Sequence, residues 1–255
     1  MSMIEEKLAK SLTAESVDLI PYLPALLQDL WELGSSPEDI IALASKHISM
    51  TDEIKVLDLA CGKGAVSIKV AKAFGCSVKG IDYLEDFVLY ANRKAKEFDV
   101  SDLCVFQTGD INEAVQHEKD YDIVILGAVG DVLGSPQDTL AKLKNTIKKG
   151  GFIFIDDAYA KADDDVRCPT RAQWLKLIAA AGLIMVDDVR IEDDALTALN
   201  TEQQQYIRMR AHELKCKYPD KAALFDGYIK SQQAECDELE QEMTGVTMLL
   251  QDASN

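Results

Sequence analysis

A chain of 255 residues, 47% hydrophobic and 28% charged, can bury the core of one α/β domain with insertions. Its formal net charge of −17 argues against the proteins that hold nucleic acid through lysine and arginine contacts to phosphate. Anionic membrane surfaces are disfavoured on the same ground.

Residues 1–50 read as an N-terminal helical segment. Within it, "ALLQDLWELG" places Leu26, Leu27, Leu30 and Leu33 at helical spacing, with Gly34 as a stop. Pro21 and Pro24 make the approach irregular. "SSPEDIIALASKHI" follows, with Ser36 as a cap, Pro37 at the first helical position and Asp39 where a capping-box acid belongs.

Residues 51–194 alternate between strand and helix. "IKVLDLA" is a short apolar strand, and "AVSIKVAKAFG" a helix closed by Gly75. "SVKGID" is a second strand and "EDFVLYANRKAKEFDV" a second helix. "DLCVFQTGD" and the nearly all-apolar "YDIVILGAVG" are the third and fourth strands. "SPQDTLAKLKNTIKKGG" predicts a helix ending in a glycine pair, and "FIFIDDAY" a fifth strand. "TRAQWLKLIAAAG" is a helix capped by Thr170, and "LIMVDDVRI" a sixth strand. Apolar strands of this kind are buried on both faces, so the sheet is expected to be parallel with helices on each side.

The alternation breaks at residue 195. Residues 195–243 predict a helical insertion, interrupted at "KYPDK", where Pro219 stops one helix and Asp220 caps the next. Residues 244–255 hold a last strand, "TGVTMLLQ", and a tail. Acidic pairs recur at Asp156–Asp157, Asp187–Asp188 and Asp193–Asp194, with a triplet at Asp163–Asp165; most read as solvated loop acids.

Six cysteines contain no Cys-x-x-Cys pair, so neither a zinc ribbon nor a dithiol redox centre is signalled. His212 and Cys216 stand four apart on a predicted helix; one pair is not a metal site, and no metal is expected. "MSMIEEKLAK" has no apolar signal core and no run is long enough to span a bilayer, which predicts a reduced, cytoplasmic protein with no membrane partner.

The chemistry concentrates in "VLDLACGKGAV". A strand runs through Asp58 into Gly62-Lys63-Gly64 and then a helix. Such a loop presents backbone N–H groups at a helix N-terminus. The third glycine of a dinucleotide loop is missing, and so is a Walker lysine after the second glycine. A carboxylate on the strand before the loop suits a cationic ligand better than a phosphate. Asp82 ends the second strand about twenty residues past Gly62, where an acid can grip two ribose hydroxyls. Asp110 ends the third strand, where an adenine amino group could be received. The three acids line one crevice at the topological switch point.

The ordered set "VLDLACGKG", "GIDYLEDFV", "FQTGDI", "YDIVILGAVG" and "IKKGGFIFIDD" resembles the motif series of the class I S-adenosylmethionine-dependent methyltransferases over residues 50–195. The chain departs from many members at Ala60, where they carry another glycine. The resemblance implies a doubly wound, Rossmann-like α/β sheet of seven strands, the last antiparallel. It implies S-adenosyl-L-methionine as cofactor and a small-molecule methyl acceptor as partner. Asp58 then orients the methionine ammonium, and Gly62 and Gly64 let the backbone approach the methionine part beside Ala60. Asp82 holds the ribose, Tyr83 packs on the adenine, and Asp110 and Ile111 hold it. Gly127 and Ala128 border the sulfonium. The donor is already activated, so alignment matters most, and a base is needed only if the nucleophile must lose a proton. Candidates for that base are Asp131, Asp157 and Tyr159. The insertion is expected to cap the acceptor, with Tyr206, Phe225 and Tyr228 facing the methyl donor. Two other readings stay open: an enzyme of the same fold that uses the cofactor for non-methyl chemistry, and a catalytically silent sensor. The sequence leaves the oligomeric state open.

Overall fold

The computed structural model describes residues 3–162 and 168–254; the Asp163–Asp165 triplet lies outside them. An N-terminal segment holds α1 (Met3–Ser11), a 3-10 turn (Val17–Tyr22), the single turn α2 (Leu23–Leu26) and α3 (Pro37–His47). The Ser36 hydroxyl accepts from the Asp39 amide and starts α3 as its sequence predicts. The core runs β1 (Lys55–Leu59), α4 (Ala65–Phe74), β2 (Ser77–Asp82), α5 (Glu85–Glu97), β3 (Cys104–Thr108), α6 (Ile111–His117) and β4 (Tyr121–Leu126). It continues with α7 (Pro136–Lys144), β5 (Ile147–Ala160), α8 (Arg171–Ala180) and β6 (Leu183–Arg190). Two long helices, α9 (Asp193–Lys217) and α10 (Ala222–Glu242), precede β7 (Met243–Asp252).

The strands form one sheet in the order β3-β2-β1-β4-β5-β7-β6. The strands β1 to β5 pair in parallel, and β7 slots antiparallel between β5 and β6. This is the seven-stranded arrangement the resemblance implies. Strand order reverses between β1 and β4, so a crevice opens at their carboxyl ends. Apolar side chains fill both faces. Val56, Ile123, Ile125, Phe154 and Leu249 meet α3, α4 and α5 on one side. Leu57, Val124, Ile153 and Met248 meet α7 and α8 on the other.

A third cluster joins the two segments that are not part of this layering. Leu19, Leu23, Leu26 and Leu30 from the N-terminal segment pack with Ile207, Ala211, Phe225 and Tyr228 from α9 and α10, and with Phe87 of α5.

Three expectations need correction. The helix read across "ALLQDLWELG" stops at Leu26; residues 27–29 form a turn, and residues 30–36 are irregular. The carbonyls of Leu27 and Leu30 are taken by the Lys63 ammonium instead. The helix read through Gly150 and Gly151 stops at Lys144, and β5 already begins at Ile147. There Gly150 adopts a φ of +74°, within the stretch where pairing with β4 shifts register. The aromatic residues of the insertion do not face the crevice. Phe225 and Tyr228 are fully buried in the third cluster, and Tyr206 packs against it. Large apolar groups on these helices found a neighbouring helix to bury against. The short helix α6 had no counterpart in the sequence reading.

Candidate active site

The glycine loop is held open by backbone geometry. Ala60, Gly62 and Gly64 take positive φ values of 57°, 53° and 75°. Asp82 stitches this loop to the next strand's end: its Oδ2 accepts from the Gly62 amide at 2.8 Å, and its Oδ1 from the Leu84 amide at 2.9 Å. The two glycines do different work. Gly62 lies at the surface of the crevice. A Cβ on Gly64 would stand 2.8 Å from the Ala91 Cβ and 2.9 Å from the Phe106 ring, so that glycine serves close packing of α4 on the sheet.

The crevice is one groove in two adjoining parts, of about 690 and about 440 Å³, sharing Leu8, Ser11, Ala60, Asp82 and Val129. Asp58, Ala60, Gly62, Asp82, Gly127 and Ala128 line the larger part. Asp82, Tyr83, Asp110 and Ile111 line the smaller. The sequence candidates for the cofactor therefore meet in one place, with the exception of Gly64. Asp110 also caps α6 through its Oδ1, which accepts from the Asn112 amide at 2.8 Å.

The groove is electrostatically unbalanced. Asp58 is 3% exposed and accepts a hydrogen bond from the Ser67 hydroxyl at 2.5 Å. Burial pushes its carboxyl up to about 7, with the charges of Asp82 and Asp156 adding to the rise. Burial likewise pushes Asp82 up to about 6, against the hydrogen bonds it accepts. The cations among the described lining residues donate to backbone carbonyls and not to these acids. The buried Lys63 ammonium donates to Leu27 and Leu30 carbonyls and lies over the Phe87 and Tyr90 rings. The Lys7 ammonium donates to the Val132 carbonyl at 3.0 Å.

Sequence reasoning missed the roof. Helix α1 lays Ile4, Lys7, Leu8 and Ser11 across the groove, and residues 31–35 contribute Trp31, Glu32, Leu33 and Ser35. The Trp31 indole donates to the Lys63 carbonyl at 3.1 Å, which pins this second piece to the glycine loop. Only the amphipathic spacing of "EEKLAKSL" hinted that α1 buries a face.

The base candidates are scattered. Asp131 holds Lys10 of α1 at 2.8 Å, and that ammonium keeps its carboxyl below the usual range. Tyr159 is buried with its hydroxyl 3.3 Å from Asp188, which also takes both arms of Arg171. Burial raises the Tyr159 phenol well above its ordinary value. Burial pushes Asp157 up to about 6, and its Oδ1 accepts from the Ala158 amide. Asp131, Asp157 and Tyr159 are not among the residues that line the groove. His212 and Cys216 sit 4.0 Å apart on α9. Among the described residues no group of three or more histidines, cysteines or acids is placed to hold a metal ion.

A model of the methyltransferase domain family matches residues 50–243. A ribosomal protein L11 methyltransferase of Exiguobacterium sp. is 26% identical over 168 residues, covering 63% of this chain and 47% of that protein. A ubiquinone biosynthesis O-methyltransferase of Shewanella sp. is 32% identical over 131 residues, covering 49% of this chain and 55% of that protein. The chain thus spans about half the length of these curated relatives. A solved S-adenosylmethionine-dependent methyltransferase of Geobacter sulfurreducens, in complex with S-adenosylhomocysteine, superposes with a TM-score of 0.75 at 17% identity over 90% of this chain and 97% of that one. The chain belongs to the methyltransferase domain family, and its sheet is that of the class I S-adenosylmethionine-dependent methyltransferases.

Proposed function

We propose that this protein transfers a methyl group from S-adenosylmethionine to a small-molecule acceptor. One observation carries the reading: two buried carboxylates, Asp58 and Asp82, share a groove at the switch point, and among the described residues no cation pairs with either. A ligand with an ammonium and a sulfonium supplies the missing positive charge, and its ribose supplies donors for Asp82. On this reading Asp58 orients the ammonium. Gly62 keeps the backbone clear of the methionine part. Tyr83, Asp110 and Ile111 receive the adenine, while Gly127 and Ala128 border the sulfonium.

S-adenosylmethionine brings a methyl group already activated for in-line displacement. The chain's work is alignment and exclusion of water. The side chains that α1 and residues 31–35 add to the groove's lining serve both, and a groove lined from several segments favours a small acceptor over a folded protein surface. No helix of the described residues is long and apolar enough to cross a membrane. Six cysteines with no Cys-x-x-Cys pair among them favour the reducing cytoplasm.

Titration calorimetry with S-adenosylmethionine, S-adenosylhomocysteine and NAD tests the reading. Binding of the first two is expected. Preference for NAD overturns it.

A further inference from the structure

The carboxyl edge of the sheet holds a third buried acid, Asp156, that the assignments above leave unused. Leu59, Leu126 and Ile155 share one register row across β1, β4 and β5, so Ala60, Gly127 and Asp156 form the next row. Asp156 lies two residues past Phe154, which shares a row with Ile125 and Asp58. Asp156 therefore points to the same face of the sheet as Asp58. Between them Gly127 leaves room for Ser35: a Cβ on Gly127 would stand 2.9 Å from the Ser35 hydroxyl, and both residues line the groove.

Asp156 is 5% exposed and does not itself line the groove; it stands behind Ser35, which does. Its Oδ1 accepts from the Thr247 hydroxyl at 2.5 Å, and its Oδ2 has no hydrogen-bond partner. Leaving a buried carboxylate oxygen unpaired is costly, and native proteins rarely do so without a use for it. Burial pushes the carboxyl up to about 7. The Ser35 hydroxyl is near enough to oppose that rise without completing a bond to Oδ2. The charged groups acting on Asp156 are Asp39 from α3 and Asp157 from its own strand, and Asp156 in turn acts on Asp58 across the sheet; all are acids. An acceptor bearing a carboxylate or phosphate would meet these acids, with which no cation among the described residues pairs. A protonated amine meets complementary charge.

We infer that Asp156 and Ser35 form the acceptor end of the groove, and that the nucleophile they receive is the nitrogen of an amine. The inference rests on the methyl-transfer reading and deepens it. The ammonium gives one proton to Asp156 Oδ2, while the Ser35 hydroxyl orients the nitrogen. The freed lone pair attacks the methyl carbon. The N–C bond forms as the donor's C–S bond breaks, and that electron pair stays on sulfur. The positive charge passes from sulfur to the N-methylated product, and Asp156 then releases its proton to solvent. A carboxyl that titrates near neutral pH suits this exchange.

The test is a panel of primary and secondary aliphatic amines, phenols, carboxylates and thiols, with S-adenosylhomocysteine release as readout. Methylation confined to amines is expected. Asp156→Asn should lower kcat/KM for the best amine on the order of a hundredfold and remove the acidic limb of its pH profile. Ser35→Ala should raise the amine KM about tenfold with a smaller change in kcat. Asp156→Asn should bind S-adenosylhomocysteine within about twofold of the parent. Methylation of phenols, carboxylates or thiols alone, methylation of nothing in the panel, or an Asp156→Asn variant with unchanged kcat/KM and pH profile overturns the inference. Should Asp156→Asn not fold, an unchanged amine KM in Ser35→Ala overturns it. A parent protein that binds neither S-adenosylmethionine nor its product removes the methyl-transfer reading itself, which the calorimetry detects separately.

Discussion

The Lys63 ammonium donates to the Leu30 carbonyl at 2.6 Å, reaching from inside the glycine loop to the segment that roofs it. The Trp31 indole returns the contact by donating to the Lys63 carbonyl. A lysine between two loop glycines would ordinarily be solvated. Here it is 3% exposed and closes the turn that α2 leaves unfinished. Lys63→Met strips two carbonyls of their charged donor. The expected loss of stability is about 2–4 kcal/mol, read from chemical denaturation. Affinity for S-adenosylhomocysteine should fall as well, because residues 31–35 lose their anchor.

The two loop glycines should respond differently to alanine. Gly64→Ala drives a Cβ into Ala91 and Phe106 at a φ of 75°, and should destabilise the fold by about 2–4 kcal/mol. At Gly62 the nearest contact is the Leu33 Cδ1 at 3.4 Å, so Gly62→Ala should cost about 1–2 kcal/mol, the left-handed backbone alone. Its larger effect should be on ligand affinity, since Gly62 borders the groove. Denaturation and calorimetry on the two variants separate the roles. Equal effects on both measurements would refute the division.

Phe225→Ala removes a fully buried ring packed edge-on against Tyr22 at 5.2 Å between centroids. A loss of about 3–5 kcal/mol is expected, by lowered denaturation midpoint. This is a structural role. If the variant kept its stability and lost only acceptor affinity, the ring would belong to the substrate site after all.

Asp58 and Asp82 titrate at about 7 and about 6, above the ordinary carboxylate value near 4. A folded state that holds protons more tightly than the unfolded chain loses stability as pH rises through those values. The contribution is complete below about pH 4 and gone above about pH 7. The ligand-free protein should therefore melt several degrees lower at about pH 8 than at about pH 5. Asp58→Asn should shrink that difference. A ligand ammonium reverses the shifts, so S-adenosylhomocysteine should release protons on binding between about pH 5 and 7. Calorimetry in two buffers of different ionisation enthalpy measures them. Proton uptake would contradict the placement of positive charge beside Asp58.

The strands and the acids at their ends were legible because each signal is local. An apolar run closing on Asp58, Asp82 or Asp110 marks a strand and its carboxyl end within a few residues. The roof was not legible. Nothing in "MIEEKLAKS" says which distant surface Leu8 and Ser11 will cover. The buried course of Lys63 depends on carbonyls more than thirty residues earlier. Asp156 looked like half of a loop pair. Its place beside Ser35 follows only from strand register and from the space left by Gly127. The sequence marks residues 195–243 as helical but not the surface they cover, so Tyr206, Phe225 and Tyr228 are expected at the groove and are found instead against the cluster of Leu19 and Leu23.

That last contact sets an order of events. Leu19, Leu23 and Leu26 emerge early in synthesis, whereas Ile207, Phe225 and Tyr228, which cover them, follow after most of the sheet has been made. Closing so long a loop is slow, and the sheet's nearer contacts form first. On the ribosome the early leucines stay uncovered until α9 and α10 arrive. A nascent chain that has made β1 to β6 still carries an apolar face open to chaperones or to aggregation, and the strand that joins β6 to the sheet, β7, follows α9 and α10.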